Sequence, residues 1–187
     1  AMRERGAGTI VNVSSVAGRL AVFAESAYVA SKFALEGFTE CLAQEVKGCG
    51  IRVALIEPGI VDTPMSSTSL PEYDRSSVYP HGRRLSAFFT NPDKPEAPPN
   101  LVGEMIRYVI ENDDARLRFP VGPDALPFLG WRGSLSDESW VGLGGLRDER
   151  DVRRVRRELH DQRLGGRRPD GVEQAPELPR VRAEVEA

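Results

Sequence analysis

The chain has 187 residues, 40% of them hydrophobic and 28% charged, and its 25 Lys and Arg against 28 Asp and Glu give a net charge of -3. This length suffices for one domain with a real core but not for two, and the charge balance offers no basic surface for nucleic acid. The apolar runs are too short to span a membrane, the charged N-terminus lacks the core of a secretory signal, and two cysteines exclude a disulfide framework. We therefore expect a soluble, cytoplasmic, globular chain.

Residues 9–63 predict a strand, a long helix and a second strand. Residues 9–14 form a β-branched run that is apolar on both faces at its centre, which favours a strand buried in a parallel sheet. Residues 26–47 predict a helix that the glycines around Cys49 end. Its predicted buried face comprises Ala27, Ala30, Ala34, Leu35, Phe38, Leu42 and Val46. Residues 51–56 predict the second strand, and this order of elements predicts a right-handed βαβ unit.

Beyond residue 63 the pattern is less regular. Residues 64–99 are rich in proline, which excludes a continuous helix. Residues 101–112 predict an amphipathic helix, and residues 117–121 a short strand that Pro120 confines to a sheet edge or a strand end. Residues 147–187 are intensely charged and contain no Phe, Tyr, Trp or Ile. Most of this tail is expected to be flexible, apart from a weakly docking helix at 151–162.

Three residues of the βαβ unit can carry chemistry together. Tyr28 and Lys32 are four residues apart on the predicted helix, so their side-chain ends can converge. Ser15 follows the carboxyl end of the first strand, where open α/β sheets bind their ligands. A nearby ammonium favours the ionised form of a phenol, and a serine hydroxyl can hydrogen-bond an oxygen whose charge changes. Singly, Tyr28 could be a surface anchor and Ser15 a capping hydroxyl, but the three together favour proton transfer to or from an alcohol oxygen.

At these positions the chain resembles the short-chain dehydrogenase/reductase family. The matching segments are Asn12-Val13-Ser14-Ser15, Tyr28-Val29-Ala30-Ser31-Lys32 and Pro58-Gly59-Ile60-Val61-Asp62-Thr63, each on the strand, helix or turn that it requires. A lone Tyr-x-x-x-Lys is a weak signal, whereas the three segments in order are a strong one. The resemblance covers roughly residues 3–124.

The resemblance implies catalytic and cofactor-binding roles. Tyr28 would be the acid/base, Ser15 would orient the substrate oxygen, and Lys32 would assist the tyrosine and hold the nicotinamide ribose of NAD or NADP. Ser15 is preferred to Ser14, which is expected to point into the sheet, because its spacing to Tyr28 matches the family. The residues expected to contact the cofactor are Tyr28, Lys32, Pro58, Gly59, Ile60, Val61 and Thr63.

The chain also departs from the family. No glycine-rich turn lies between an apolar strand and a long helix, so the cradle that holds the dinucleotide pyrophosphate is missing. We therefore expect a partial doubly wound, Rossmann-like α/β fold that lacks its amino-terminal half, with weak or absent cofactor binding. Residues 1–124 would form this partial domain, with 64–99 as its substrate loop, and residues 125–187 a surface segment and tail. The strand at Thr9 would then expose an unpaired edge, and the chain would be marginally stable and prone to associate.

Other residues leave alternatives open. In the substrate loop, four aromatic residues could line an apolar pocket or merely cover the core: Tyr73, Tyr79, Phe88 and Phe89. Arg83 and Arg84 could attract an acidic substrate group, although a solvated pair is the more ordinary explanation. His81 and His160 have no second ligand at metal spacing, so no metal is expected, and Cys41 and Cys49 read as reduced thiols.

The sequence thus predicts a truncated NAD(P)-dependent oxidoreductase for an alcohol or ketone substrate, with a hint of a lipophilic one. Its rival is a catalytically inactive fragment that acts, if at all, as an interaction module. A serine hydrolase using Ser15 is a distant third, because no Gly-x-Ser-x-Gly elbow or well-placed histidine accompanies that serine. Association could occur through the exposed strand edge or, as in the family, through the long helix, where Phe38, Leu42 and Val46 could serve either a dimer or the sheet.

Overall fold

A computed structural model describes residues 1–65, 81, 82, 84, 85, 97–145, 150 and 151. Its strands are β1 (Gly8–Val13), β2 (Ile51–Pro58) and β3 (Arg118–Val121). Its helices are α1 (Met2–Arg5), α2 (Ser26–Val46), α3 (Asn100–Glu111), α4 (Ala125–Ser134) and α5 (Asp137–Gly142), with single 3-10 turns at Val16–Gly18, Lys47–Cys49 and Leu143–Gly145. The elements predicted from the sequence in this part of the chain are confirmed, with ends shifted by one or two residues.

The described strands form one parallel sheet in the order β1-β2-β3. β2 is the central strand. Its residues from Val53 to Glu57 are buried because a strand lies on each side of β2 and each face of the sheet is covered. β3 lies at an edge, which accommodates Pro120 as the sequence predicted. The expected α/β fold of Rossmann-like type is therefore observed.

Helix α3 covers one face of the sheet. Met105 and Val109 on its apolar side pack against Ala54 and Ile56 of β2 and against Phe119 of β3. The alternate residues of the same strands face α2, as period-two strand geometry requires. A second cluster joins Val16 and Leu20 to Ala125 and Phe128. Helix α4 therefore belongs to the packed structure, although it lies within the 125–187 segment that we expected to be a surface segment and tail.

The buried face of α2 differs from the predicted one. Val29, Glu36 and Thr39 are buried, whereas Ala27, Ala30 and Ala34 are exposed and Phe38 is 60% exposed. The polar residues tolerate burial because they have partners: the Thr39 hydroxyl donates to the Leu35 carbonyl and accepts from the Asn12 amide. Alanine spacing misled the prediction, since alanine suits either side of a helix.

Strand β1 is less buried than its composition indicated. It pairs with β2 along Gly8 to Val13, and no second partner strand lies among the described residues. Most of its residues are half-buried, and Val13 is 42% exposed. The edge expected at Thr9 is therefore present in the described part of the chain.

Several predictions fall outside the described residues. They concern Tyr73, Tyr79, Phe88, Phe89, Arg83, His160, most of the 64–99 loop, and nearly all of the helix at 151–162 and the charged tail. In the part of the chain that the structure covers, no helix is both long and apolar enough to cross a bilayer.

Candidate active site

The residues predicted to carry chemistry come together around one cavity of about 790 Å³. Ser15 follows β1, Tyr28 and Lys32 lie in the first two turns of α2, and the segment from Pro58 to Thr63 follows β2. All of them except Asp62 line this cavity, which opens at the carboxyl ends of the parallel strands. A volume of this size is typical of small-molecule and cofactor sites.

Ser15 is held rigidly at the end of β1. Its hydroxyl accepts a hydrogen bond from the Ala17 amide at 3.1 Å and donates to the Pro58 carbonyl at 3.4 Å. It therefore caps the 3-10 turn at Val16–Gly18, which was the structural alternative considered for this residue. The same hydroxyl ties the first strand to the turn after the second, so capping and a place in the cavity coexist.

Tyr28 and Lys32 meet on one side of α2. The Lys32 ammonium lies 5.7 Å from the centre of the Tyr28 ring and donates a hydrogen bond to the Val13 carbonyl at 3.2 Å. This second contact fixes the lysine against the end of β1. The helix and the strand thereby bring the amine and the phenol together, as their spacing predicted.

The turn after β2 is braced by Asp124. The Asp124 carboxylate accepts a hydrogen bond from the Ile60 amide at 2.8 Å, and the Gly59 amide donates to the Val121 carbonyl at 2.9 Å. A Cβ atom on Gly59 would overlap with the Asp124 carboxylate, so a larger residue there would have to displace that carboxylate. Asp124 thus fixes the segment that borders the cavity.

Sequence reasoning missed several residues of the cavity. Leu20, Val22 and Phe128 supply apolar lining, and Val102 reaches the cavity from α3. Phe128 could have been found, since Ala125, Phe128 and Leu129 repeat at helical spacing. Glu25, next to the start of α2, also lines the cavity, and burial raises the pKa of its carboxyl group. Nothing in the sequence distinguishes it from a solvated residue.

A charged cluster lies beneath the Pro58 turn. Glu57 is fully buried, with the Arg19 guanidinium 3.6 Å and the Arg118 guanidinium 3.3 Å from its carboxylate. Arg118 also pairs with Glu36 at 2.9 Å and with Glu40 at 3.2 Å. Burial, which outweighs the attraction of the arginines, raises the pKa of Glu57 to about 7.

The donor set at the cavity suits the nicotinamide end of a dinucleotide. An ammonium and three hydroxyl groups (Lys32, Ser15, Tyr28 and Thr63) border the same space as the backbone of the Pro58 turn.

The glycines near the N-terminus only join α1 to β1, with Gly6 ending the helix at a φ of 64°. Within the described residues, no three His, Cys, Asp or Glu side chains are grouped as metal ligands would be.

Comparisons with known proteins place these features in context. A family model described as short chain dehydrogenase matches residues 1–74. The uncharacterized oxidoreductase YusZ of Bacillus subtilis (strain 168) is 32% identical over 148 residues, which are 76% of this chain and 53% of YusZ. The chain thus spans about half the length of the curated relatives it matches.

Two solved structures are similar to this chain in sequence and in fold. A crystal structure of a short-chain dehydrogenase from Streptomyces avermitilis is 30% identical, with a TM-score of 0.56 over 78% of this chain and 55% of that one. The F189W actinorhodin polyketide ketoreductase, solved with NADPH, is also 30% identical, with a TM-score of 0.53 over 66% of this chain and 49% of that one.

Proposed function

Because this chain belongs to the short-chain dehydrogenase family, we propose that it carries the catalytic half of an oxidoreductase that interconverts an alcohol and a ketone with NAD or NADP. The observation that carries this proposal is the shared cavity. Ser15, Tyr28, Lys32 and the Pro58 turn come from three separate segments, yet all border the same space. Such convergence is what proton transfer at a substrate oxygen requires.

The residues have distinct proposed roles. Tyr28 gives a proton to the substrate oxygen in reduction and takes it back in oxidation. Lys32, which lies beside the Tyr28 ring and is fixed by the Val13 carbonyl, would hold the nicotinamide ribose next to the tyrosine. Ser15, held by the Ala17 amide, exchanges its long hydrogen bond to the Pro58 carbonyl for one to the substrate oxygen and so holds that oxygen beside the tyrosine.

NAD or NADP, when bound, supplies or accepts the hydride. Lys32, Tyr28 and Thr63, with the backbone of Gly59 to Val61, would hold its nicotinamide riboside end. The ketoreductase solved with NADPH supports this choice of cofactor. Because the 187-residue sequence has no glycine-rich turn for the pyrophosphate, we expect weak cofactor binding by this chain. Binding in the nanomolar to micromolar range by calorimetry would contradict that expectation.

The lining of the cavity favours a lipophilic substrate. Val16, Leu20, Val22 and Phe128 present apolar surface on the side bounded by α4. Burying a substrate's apolar body there is favourable by about 25 cal/mol for each Å² removed from water. The rival proposal is an inactive interaction module, which would bind a partner along the open edge of β1.

A Tyr28→Phe substitution separates the two functions. The variant keeps the ring and removes only the hydroxyl group, so reduction of a lipophilic ketone at saturating NADPH should slow by roughly 100-fold or more. Turnover is followed through the nicotinamide absorbance. Tyr108→Phe is the matched control, because Tyr108 lies on α3, bonds Asp114 and does not line the cavity.

The outcomes decide between the functions. Wild-type turnover that survives in Tyr108→Phe and is lost in Tyr28→Phe supports the catalytic proposal. Turnover that Tyr28→Phe leaves intact defeats the assignment of the acid/base. A wild-type chain that is folded but inactive at saturating cofactor favours the interaction module.

A further inference from the structure

Glu25 is an acidic residue in an otherwise largely apolar cavity. Among the described lining residues, only Glu25 and Lys32 are charged. The Lys32 ammonium already contacts the Val13 carbonyl and the Tyr28 ring. The Glu25 side chain has no hydrogen bond or ion pair within the described residues, and it does not cap α2. Among the residues that the structure describes, the cavity therefore has one acidic side chain with unused hydrogen-bonding capacity.

The burial of Glu25 and the backbone conformation of Ala24 both cost free energy in the unliganded protein. The Glu25 carboxyl is partly buried, which raises its pKa because burial disfavours the charged form. The preceding Ala24 has a φ of 65°, a left-handed conformation that costs a non-glycine residue on the order of 1 kcal/mol. A ligand group that donated a hydrogen bond to Glu25 would offset the cost of burying its carboxylate.

Glu25 also lies near Tyr28, the proposed acid/base. It directly precedes α2, at the N-cap position, and Tyr28 lies in the first turn of that helix. Both residues line the same cavity, and most of the other lining residues are apolar. A ligand with its reacting oxygen at Tyr28 can therefore reach Glu25 with a second polar group.

We propose that Glu25 is a specificity-determining residue, which selects lipophilic alcohols or ketones that carry a second hydrogen-bond donor, either a hydroxyl or an ammonium group, several ångströms from the reacting oxygen. The inference rests on the proposed function for the position of that oxygen. The apolar body of the substrate packs against Leu20 and Phe128, and its second donor binds the Glu25 carboxylate. A substrate without that donor would leave the carboxylate desolvated and unpaired, which is how polar sites reject apolar analogues.

The test compares two alcohols of nearly equal size. Binding of trans-1,4-cyclohexanediol and of trans-4-methylcyclohexanol to the full chain is measured by ligand-observed NMR near neutral pH. The wild-type chain should prefer the diol by about tenfold, and Glu25→Leu should abolish or reverse that preference. Glu45→Leu, an exposed glutamate on α2 outside the cavity, is the matched control and should retain the preference. Glu25→Gln serves if the leucine variant does not fold, and it should reduce the preference by at least threefold.

A third ligand distinguishes the two kinds of donor. Tighter binding of trans-4-aminocyclohexanol than of the diol, lost in Glu25→Gln, identifies an ammonium group as the preferred partner. Equal binding identifies a hydroxyl group. In both cases the carboxylate is the selecting group.

The result that overturns the inference is a wild-type preference below twofold, an unchanged preference in the Glu25 variants, or no detectable binding of either alcohol. Failure of the proposed function looks different. Glu25-dependent selection without NADPH-dependent reduction of 4-hydroxycyclohexanone would leave the ligand inference standing and remove the oxidoreductase assignment. NADPH-dependent reduction that is equally fast for 4-hydroxycyclohexanone and 4-methylcyclohexanone would support the oxidoreductase assignment and contradict selection by Glu25.

Discussion

At the scale of single residues, the most unusual group is the buried carboxyl of Glu57. It lies under the cavity wall, fully buried, with Arg19 and Arg118 near its oxygens and Glu36 opposing it through the shared arginine. Desolvation raises the pKa of Glu57 to about 7, so its proton is held more tightly in the folded than in the unfolded chain. Its ionisation is therefore linked to stability.

Glu57 should make the protein less stable as the pH rises. Between roughly pH 4.5 and 7 the unfolded chain loses this proton before the folded chain does, so the free energy of unfolding falls across that window. The effect is roughly 2 to 3 kcal/mol between about pH 5 and about pH 8, at about 1.4 kcal/mol per pKa unit. Glu57→Gln removes the titration, and denaturant unfolding of both proteins across this range measures the difference.

The appropriate control is Glu40→Gln. Glu40 contacts the same Arg118 but is half exposed, so Glu40→Gln tests whether the loss of one Arg118 partner alone reproduces the effect of Glu57→Gln. Groups that titrate elsewhere cancel in the difference between variant and wild type. A difference that is constant with pH would contradict the account of Glu57.

The sequence predicted that the proposed catalytic residues would lie together, but it did not predict this charged cluster. Tyr28 and Lys32 are one turn apart on a helix, and Ser15 follows the end of a strand, so their places in the sequence already indicate convergence. Arg19, Glu57 and Arg118 meet only because two strands and the loop that carries Arg19 pack together. Such contacts depend on tertiary structure, which no local pattern encodes.

At the scale of elements, the turn after β2 depends on the start of α4. Asp124 accepts the Ile60 amide and occupies the space beside Gly59, while Val121 of β3 accepts the Gly59 amide. The cavity wall is therefore positioned by a segment far along the chain.

Gly59→Ala should destabilise the protein by about 1 to 3 kcal/mol, because the added methyl group overlaps with the Asp124 carboxylate. Asp124→Ala should remove the overlap and also release the Ile60 amide. The double variant should therefore be more stable than the sum of the single changes predicts, which denaturant melts measure as a double-mutant cycle. Strict additivity would show that the two residues do not interact.

The elements themselves were largely predictable, whereas their buried faces were not. β-branched runs and glycine stops located β1, β2 and α2 within one or two residues. The orientation of α2 was missed because Glu36 and Thr39, polar by type, are buried with partners on the sheet. Their partners Arg118 and Asn12 become visible only once the strands are placed.

At the scale of the whole molecule, exposed apolar surface is the dominant feature. Phe33 and Phe38 on α2 are 45% and 60% exposed, and Val13 at the end of β1 is 42% exposed. Side chains of this size in water favour association when they lie on a continuous face.

We expect the chain to associate at micromolar concentration and above. Phe38→Lys should shift sedimentation velocity profiles toward the monomer, because it places a charge on the exposed side of α2. Ile110→Lys on α3 is the matched control, since Ile110 is 57% exposed on a different helix. A wild-type chain that sediments as a single monomer and melts cooperatively would contradict this expectation.

The central claim, that Tyr28 and its neighbours assemble a site for hydride chemistry at a substrate oxygen, is tested most directly by isotope transfer. The chain is incubated with NADPH deuterated at the transferable position of the nicotinamide and with a lipophilic ketone. We predict an alcohol product that contains one deuterium at the former carbonyl carbon, formed by the wild type and nearly absent with Tyr28→Phe. Deuterium transfer that is equal in both proteins, or missing from the folded wild type at saturating cofactor, would contradict the account.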